Sequence, residues 1–500
     1  MQGYSSVQQD QENESQQSIP NLRQHKSFFQ IFCSTNGPPQ VVLVTFLTTL
    51  SYGAIVAILP QVGTQRFAVL NYGYDGEECA SFSYKDKPQE CLKGSADAQN
   101  AHAFSEFVAN IFIVLTGPLF GSITDTHGRR QWFVVGTVMA VLGIYAFFYV
   151  CVKPSSNPWI FYGIRSLHGL VNWIAISLST IADVMPPEFR APAVGQLMAA
   201  YWFGVCIGPT IAVFLGNMNA VIFSCIVATL AILIAVLFVP ETLPPIAAEE
   251  ARRQRTLEHS HRSAAQVFLW YLFRPIREIS IVNRDGFFRL LSTLAFFNGM
   301  VTSGDKVLLL YYVESRLNFS LSDTAIMLLL YGFGTTFAQG IVLKPLNDML
   351  GERLILIISF VTALVCNTCY GLAKTKGALF GGISLASLAA MAFPTFSAIK
   401  ANNVNEFEQG RVQGALYAIL ALASGIGPMA MRYVDSIASG TFLGPGAMFL
   451  FAACLQLIAA FFTCWLPKER TDSRRRTNQP IPVEDDPLDG NDGDELVDLS

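Results

Sequence analysis

Charge is scarce in this chain. Of its 500 residues only 14% are Asp, Glu, Lys or Arg, where a soluble globular domain carries about 25%. Whole runs of roughly twenty residues pass with one charge or none, which is the length a helix needs to cross a bilayer. That excludes a soluble globule and makes the chain a polytopic membrane protein. Histidine is also scarce, at 6 residues, and no cluster has metal-ligand spacing. No nucleophile elbow, Gly-rich phosphate loop or polar segment large enough for a nucleotide-binding domain is present. The chain is therefore not expected to be an enzyme, to hold a cofactor or metal, or to bind nucleic acid. Transport without ATP would run downhill or on an ion gradient. No cleavable signal peptide precedes the first apolar run, which is long enough to act as its own anchor.

Cysteine is present, at 10 residues, yet forms no disulfide framework. All but two fall in or beside apolar runs, where a thiol is a small packing residue. That includes the CxxC of Cys366 and Cys369. Cys79 and Cys91 differ, because both lie in the one long polar loop. If that loop faces away from the cytosol, a disulfide between them is expected.

Apolar periodicity gives twelve predicted spans, at about 40–62, 101–122, 131–152, 158–180, 192–216, 218–239, 287–312, 322–343, 354–373, 377–399, 412–433 and 445–466. The chain then divides into a disordered tail over 1–36, a first bundle over 37–240, a linker over 241–286, a second bundle over 287–466 and a disordered acidic tail over 467–500. The linker is rich in arginine and ends in V-F-L-W-Y-L-F-R-P, an amphipathic piece suited to the membrane surface. An even span count puts both termini on one side. With the termini cytoplasmic, cytoplasmic segments hold about 22 Lys and Arg against about nine opposite, so the positive-inside rule places them there. Arg165 and Lys306 are candidate exceptions within spans. Asn318-Phe319-Ser320 then falls outside as a glycosylation sequon close to the membrane.

Residues Gly121 to Arg130 read G-S-I-T-D-T-H-G-R-R. A second copy, D-M-L-G-E-R, runs from Asp348 to Arg353, with Gly351 matching Gly128. Repetition of one charged turn in an apolar chain points to a duplicated membrane unit. Gly121 and Gly128 permit close helix approach and a tight reversal. Asp125 stands near a helix start, where a carboxylate is favoured, and Arg129 and Arg130 are placed to pair with it. Such a cluster latches two helices in one state and releases them in another. Lys344 and Glu352 break the pattern in the second copy, so its latch should be weaker.

These residues carry a resemblance. The first turn resembles the signature loop of the major facilitator superfamily. Arg165-Ser-Leu-His-Gly169 resembles that superfamily's R-x-x-x-G element. Gly204-Val-Cys-Ile-Gly208-Pro209 resembles its antiporter-associated G-x-x-x-G-P element, with Gly425-Ile-Gly427-Pro428 a weaker second copy. Pro240-Glu241-Thr242 completes the set. Within the superfamily the chain is most similar to the tetracycline-resistance-like drug:proton antiporters and the hippocampus-abundant-transcript-like proteins. The resemblance implies an all-α fold of two six-helix bundles, with a cavity lined by spans one, four, seven and ten.

Proline in a span removes a helix hydrogen bond and bends it, and small residues four apart let neighbours close in. Gly204, Gly208, Pro209, Gly427 and Pro428 are therefore read either as helix-kink positions between moving helices or as ordinary packing with a bend. Charges at membrane depth cost several kcal/mol unless they face a partner or water. Arg165, His168 and Asn172 are spaced to share one face of span four. Asn298, Thr302 and Asp305 share one face of span seven. At 1.5 Å per residue, Arg165 and Asp305 each lie roughly 10 Å below the outer surface. If the cavity is the one the resemblance implies, they face one another, and protonation of Asp305 would weaken the pair. The alternatives are a static pair, or Asp305 with Lys306. Glu106 and Glu314 fall at outer span ends, where water solvates them.

The expectation is a monomeric secondary transporter of a small organic solute, working by alternating access in a lipid bilayer and coupled to protons. The membrane is the plasma membrane or a vacuolar or lysosomal one. A solute sensor without flux and a sugar-type uniporter are the rival readings.

Overall fold

The computed structural model describes residues 28–467, apart from 83–85, 402, 404–408, 439–443 and most of 244–284. Most of the predicted surface-lying piece and of both predicted tails lies outside the described residues. Among the described residues every regular element is helical, and each of the twelve segments read as spans has a helical counterpart.

The described helices, in chain order, begin with α1 (Phe28–Ser34), α2 (Pro38–Val56), α3 (Leu59–Tyr72), α4 (Gln89–His127), α5 (Arg130–Val152), α6 (Trp159–Ser166), α7 (Trp173–Val184), α8 (Pro187–Leu215) and α9 (Asn217–Phe238). They continue as α10 (Gly286–Leu317), α11 (Leu321–Phe337), α12 (Leu343–Leu350), α13 (Glu352–Leu372), α14 (Lys376–Ala389), α15 (Ala392–Ala401), α16 (Gln409–Ala438) and α17 (Ala447–Thr463). Eight helical segments are long and apolar enough to cross a membrane by themselves. The remaining predicted spans have visible reasons to differ. The second lies in α4, which starts as a polar helix. The fourth is broken between α6 and α7. The seventh, in α10, carries Arg289, Asp305 and Lys306. The twelfth, α17, has 17 residues.

The residues group into two compact units, one of residues 1–273 with 310–329 and one of 274–309 with 330–500. In the first, α1 extends the structure into the predicted tail, because Phe32 is buried against Val41, Phe133 and Trp173. A second apolar cluster joins Ile55, Phe67, Phe147, Phe161, Tyr162 and Tyr311. In the second unit the core runs through Phe287, Leu291, Phe360, Phe396 and Ala415.

The polar loop between the first two spans is mostly helix. α2 is followed, after Ala57 and Ile58, by α3, which ends at Gly73 in the left-handed conformation (φ 67°), a glycine C-terminus. α4 then runs for 39 residues, roughly 58 Å at 1.5 Å per residue, against a hydrocarbon core of roughly 30 Å. α3 and the start of α4 form an antiparallel hairpin: Gly63 faces Ala98, and Gly94 faces Thr64 and Ala68. Cys79 and Cys91 are disulfide-bonded, with Cα atoms 5.6 Å apart.

Two glycine contacts set helix spacing. In the first unit a methyl on Gly53 of α2 would sit 2.8 Å from the carbonyls of Gly204 and Val205 of α8, and one on Gly208 would run into the Gly53 backbone. Val205 O is also the carbonyl that Pro209 leaves unbonded within its helix. In the second unit Pro428 lies inside α16 and frees Ser424 O, which accepts a hydrogen bond from Ser303 Oγ of α10 at 2.7 Å. A methyl on Gly427 would strike the Met300 backbone.

Candidate functional site

The charged turn lies at the junction of α4 and α5. Gly128 ends α4 with φ 105°, a conformation that only glycine adopts cheaply. A methyl there would also run into the Glu241 carboxylate. Glu241, from the segment after α9, accepts from Arg129 N at 2.8 Å and from Arg130 N at 3.1 Å. It thereby satisfies two of the amides that open α5. Its Oε1 also accepts from Thr242 N and Leu243 N, each at 3.0 Å. The Arg129 side chain donates to Asp183 of α7 through Nε at 2.8 Å and Nη2 at 3.3 Å, and through Nη1 to Thr124 Oγ1 at 3.0 Å. Arg130 Nη2 donates to Val236 O at 2.7 Å, and Arg252 Nε to Thr126 O at 2.7 Å. The turn is thus tied to α7, to the end of α9 and to the segment that follows α9.

One sequence expectation changes here, one is extended and one lies outside the described residues. Asp183 and Glu241, which have no place in the latch as read from the motif, both hold Arg129. The side chain of Asp125 lies outside the described residues. Gly121 does not mediate close approach, since a methyl on it would meet open space; it lies on an exposed face of α4. In the second copy Gly351 has φ 80°, as Gly128 does, and Arg353 Nη2 donates to Cys464 O. Glu352 is buried and Asp348 exposed, while the Lys344 side chain lies outside the described residues.

A second site surrounds Arg165, in the last turn of α6. Its Nη2 donates to Glu106 Oε1 of α4 at 2.6 Å and to Tyr52 Oη of α2 at 3.3 Å. The guanidinium lies over the Tyr52 ring, 5.5 Å from its centroid, a cation–π contact. Nη1 is buried without a hydrogen-bond partner. Gly143 of α5 lets the Arg165 backbone approach, since a methyl there would sit 3.3 Å from its Cα. His102 places Nε2 3.9 Å from Glu106 Oε1, while its Nδ1 lies 3.2 Å from Tyr311 Oη. Tyr311 Oη is in turn 3.0 Å from Tyr162 Oη.

The predicted polar stripe of span four does not survive as one face. α6 ends at Ser166, a 3₁₀ turn covers Leu167–Gly169, and α7 starts afresh at Trp173. Asn172 caps that restart, its Oδ1 accepting from Ala175 N at 3.2 Å, a role for which its short side chain is well suited. His168 Nδ1 lies 2.7 Å from Arg165 O. Glu106 and Glu314 are not solvated either. Their side chains are 13% and 6% exposed, on Arg165 and Lys87 respectively.

In the second unit α10 is continuous through Asn298, Thr302 and Asp305. Asn298 is half-buried and Thr302 exposed. Asp305 Oδ2 accepts from Asn367 Nδ2 of α13 at 3.1 Å, while Asp305 Oδ1 and Asn367 Oδ1 are buried without a partner. Cys366 Sγ contacts Gly382 O at 3.2 Å, so this thiol packs. Arg432 and Asp435 form a pair within α16 at 2.5 Å, both side chains nearly buried.

The model of the Major Facilitator Superfamily matches residues 41–338 and 291–483. The chain belongs to the major facilitator superfamily. Hippocampus abundant transcript-like protein 1 of Mus musculus is 22% identical over 388 residues, covering 73% of each chain. Tetracycline resistance protein, class G, of Vibrio anguillarum is 25% identical over 358 residues, covering 69% of this chain and 84% of its own. Among solved structures, the human organic anion transporter MFSD10 aligns with a TM-score of 0.59 at 20% identity, over 85% of this chain and 98% of its own. As a superfamily member the chain is a multi-pass membrane protein and a secondary transporter of a solute. The turn at Gly128, Arg165 and the glycines of α8, which carry the sequence resemblance, each have defined contacts. Glu106, His102, Asp183, Asn367 and the Arg432–Asp435 pair were missed. His102 and Glu106 stand four apart, the spacing of helical neighbours, and Arg432 and Asp435 three apart. Those spacings were the available signals.

Proposed function

We propose that the chain exchanges a small organic solute for protons by alternating access, as a monomer with both termini cytoplasmic, in two bundles over 37–240 and 287–466. The observation that carries this reading is the Glu106–Arg165 pair, 2.6 Å apart and nearly buried within an apolar bundle. Net stability is a poor reason to hold such a pair, because desolvation offsets much of its attraction. Proton exchange at Glu106 is a use for it. A proton on Glu106 cancels the attraction for Arg165, frees the guanidinium and couples occupancy by a proton to the position of α6. Asp305, bonded to Asn367 alone among the contacts described, is a second carboxylate suited to the same work. The likeness to a tetracycline resistance protein favours antiport.

Purified protein in vesicles, with an imposed pH gradient, provides the test. Solute accumulation should follow the gradient in wild type. Glu106→Gln should keep downhill exchange and lose gradient-driven accumulation. Asp305→Asn should weaken coupling less. Unaltered gradient-driven flux in Glu106→Gln would remove the coupling role from that residue, and binding without any flux would favour a sensor.

A further inference from the structure

The loop closed by Cys79 and Cys91 holds a feature that the transport reading does not use. Lys87 lies within that disulfide ring, in the irregular stretch before α4. Its side chain is 1% exposed, and its Nζ lies 3.0 Å from Oε1 of Glu314, near the end of α10. The pair spans 227 residues of sequence. Glu314 Oε2 is buried without a hydrogen-bond partner. Three residues back on α10, Tyr311 is fully buried and its hydroxyl meets His102 and Tyr162. The tip of α10 is therefore held by the ring, by α4 and by α6, and it belongs to the first unit, although the helix begins in the second.

The two cysteines that close the ring are held by several contacts. Both cysteines are buried, against Ala68 of α3 and Tyr74. Cys79 N donates to Gln65 Oε1 of α3 at 2.7 Å. Asn71 and Tyr72 of α3 both donate to Asp97 of α4, at 2.7 and 3.0 Å. The disulfide gives the stretch carrying Lys87 a second covalent anchor beside its continuation into α4. A lysine on a loose loop searches many positions before it reaches one carboxylate, and a cross-link removes most of them.

We propose that the disulfide ring is a clasp: it presents Lys87 to Glu314, docks the tip of α10 into the first unit, and must release that tip during the transport cycle. The second part rests on the alternating-access reading. The contact suits a clasp because it is all-or-none. Net stabilisation from a buried ion pair is small, yet loss of one partner strands the other charge, so intermediate positions are disfavoured. Undocking also returns the Tyr311 hydroxyl and the Glu314 carboxylate to water together.

Hydrogen–deuterium exchange on the full chain in lipid nanodiscs tests this without a known solute. Wild type is compared with Glu314→Gln, with Cys79→Ser/Cys91→Ser, and with wild type treated with dithiothreitol. The dithiol gives two electrons and two protons, turns the S–S bond into two thiols and leaves as its own cyclic disulfide. The eight other cysteines are already free thiols. Because reduction acts on folded wild type, it covers the case in which the Cys→Ser variant fails to fold. Exchange at residues 310–317 should rise about tenfold in all three cases, consistent with local opening, and the combined variant should add little. Exchange at 124–133, around the charged turn, should fall. An unchanged rate at 310–317 after reduction or in Cys79→Ser/Cys91→Ser, or an equal rise throughout the chain, overturns the clasp. A looser tip without slower exchange at 124–133 leaves the docking intact and overturns its place in the cycle.

Discussion

Glu241 shows how one side chain can hold a turn together. It is the acceptor for four backbone N–H groups, those of Arg129, Arg130, Thr242 and Leu243. Glu241→Ala removes that cap and should cost about 1–2 kcal/mol, the range of helix-cap losses, read as a lowered unfolding midpoint in detergent. The two glycines of the turn should behave differently. Gly128→Ala meets both a left-handed backbone and the Glu241 carboxylate, so a loss of about 2 kcal/mol or more is expected. Gly121→Ala faces open space and should stay within about 0.5 kcal/mol of wild type. The sequence pattern treats these glycines alike, because a motif records residue type and spacing but not the direction a Cβ would take. For the same reason Arg129 could be read as a latch residue while its partner Asp183, 54 residues away, could not. Partners brought together by tertiary packing leave no local trace.

At the scale of helices, every apolar run coincides with helix, and eight of the helical segments are long and apolar enough to cross a membrane, as burial in lipid demands. Apolar run length did not find the polar ends. α3 and the first turns of α4 are helix largely outside the apolar runs, packed on each other beside the Cys79–Cys91 bond. This is why Glu106 was placed at a span end: the helix starts at Gln89, so Glu106 lies many turns inside it. The break in span four did have a signal, since Gly169 and Asn172 are a poor helix residue and a good cap. Proline in α16 gives an element-scale prediction. Ser303→Ala should leave Ser424 O without its hydrogen bond and cost about 1–2 kcal/mol, whereas Ser303→Thr should retain most of the stability. Thermal unfolding of the two variants separates them. In α8, Gly208→Val should be far more damaging than Gly195→Val, since Gly208 lies against the Gly53 backbone and Gly195 faces nothing. Expression and unfolding midpoint are the readouts.

For the molecule as a whole, superfamily membership accounts for the membrane fold and for solute transport, while the proposed proton coupling draws on charges held inside the apolar bundle. The ion pair of α4 with α6 and the carboxylate of α10 occupy different units, and each has a partner within its own unit: Arg165 for Glu106, Asn367 for Asp305. Neither carboxylate stands alone as an expensive charge, and in the proposed cycle each exchanges a proton against a defined contact. The measurement that tests this most directly is solute flux in vesicles containing wild type or Glu106→Gln, with and without an imposed pH gradient. The account predicts that Glu106→Gln exchanges solute at close to wild-type rate without a gradient and fails to accumulate it with one. Gradient-driven accumulation equal to wild type in that variant would contradict it.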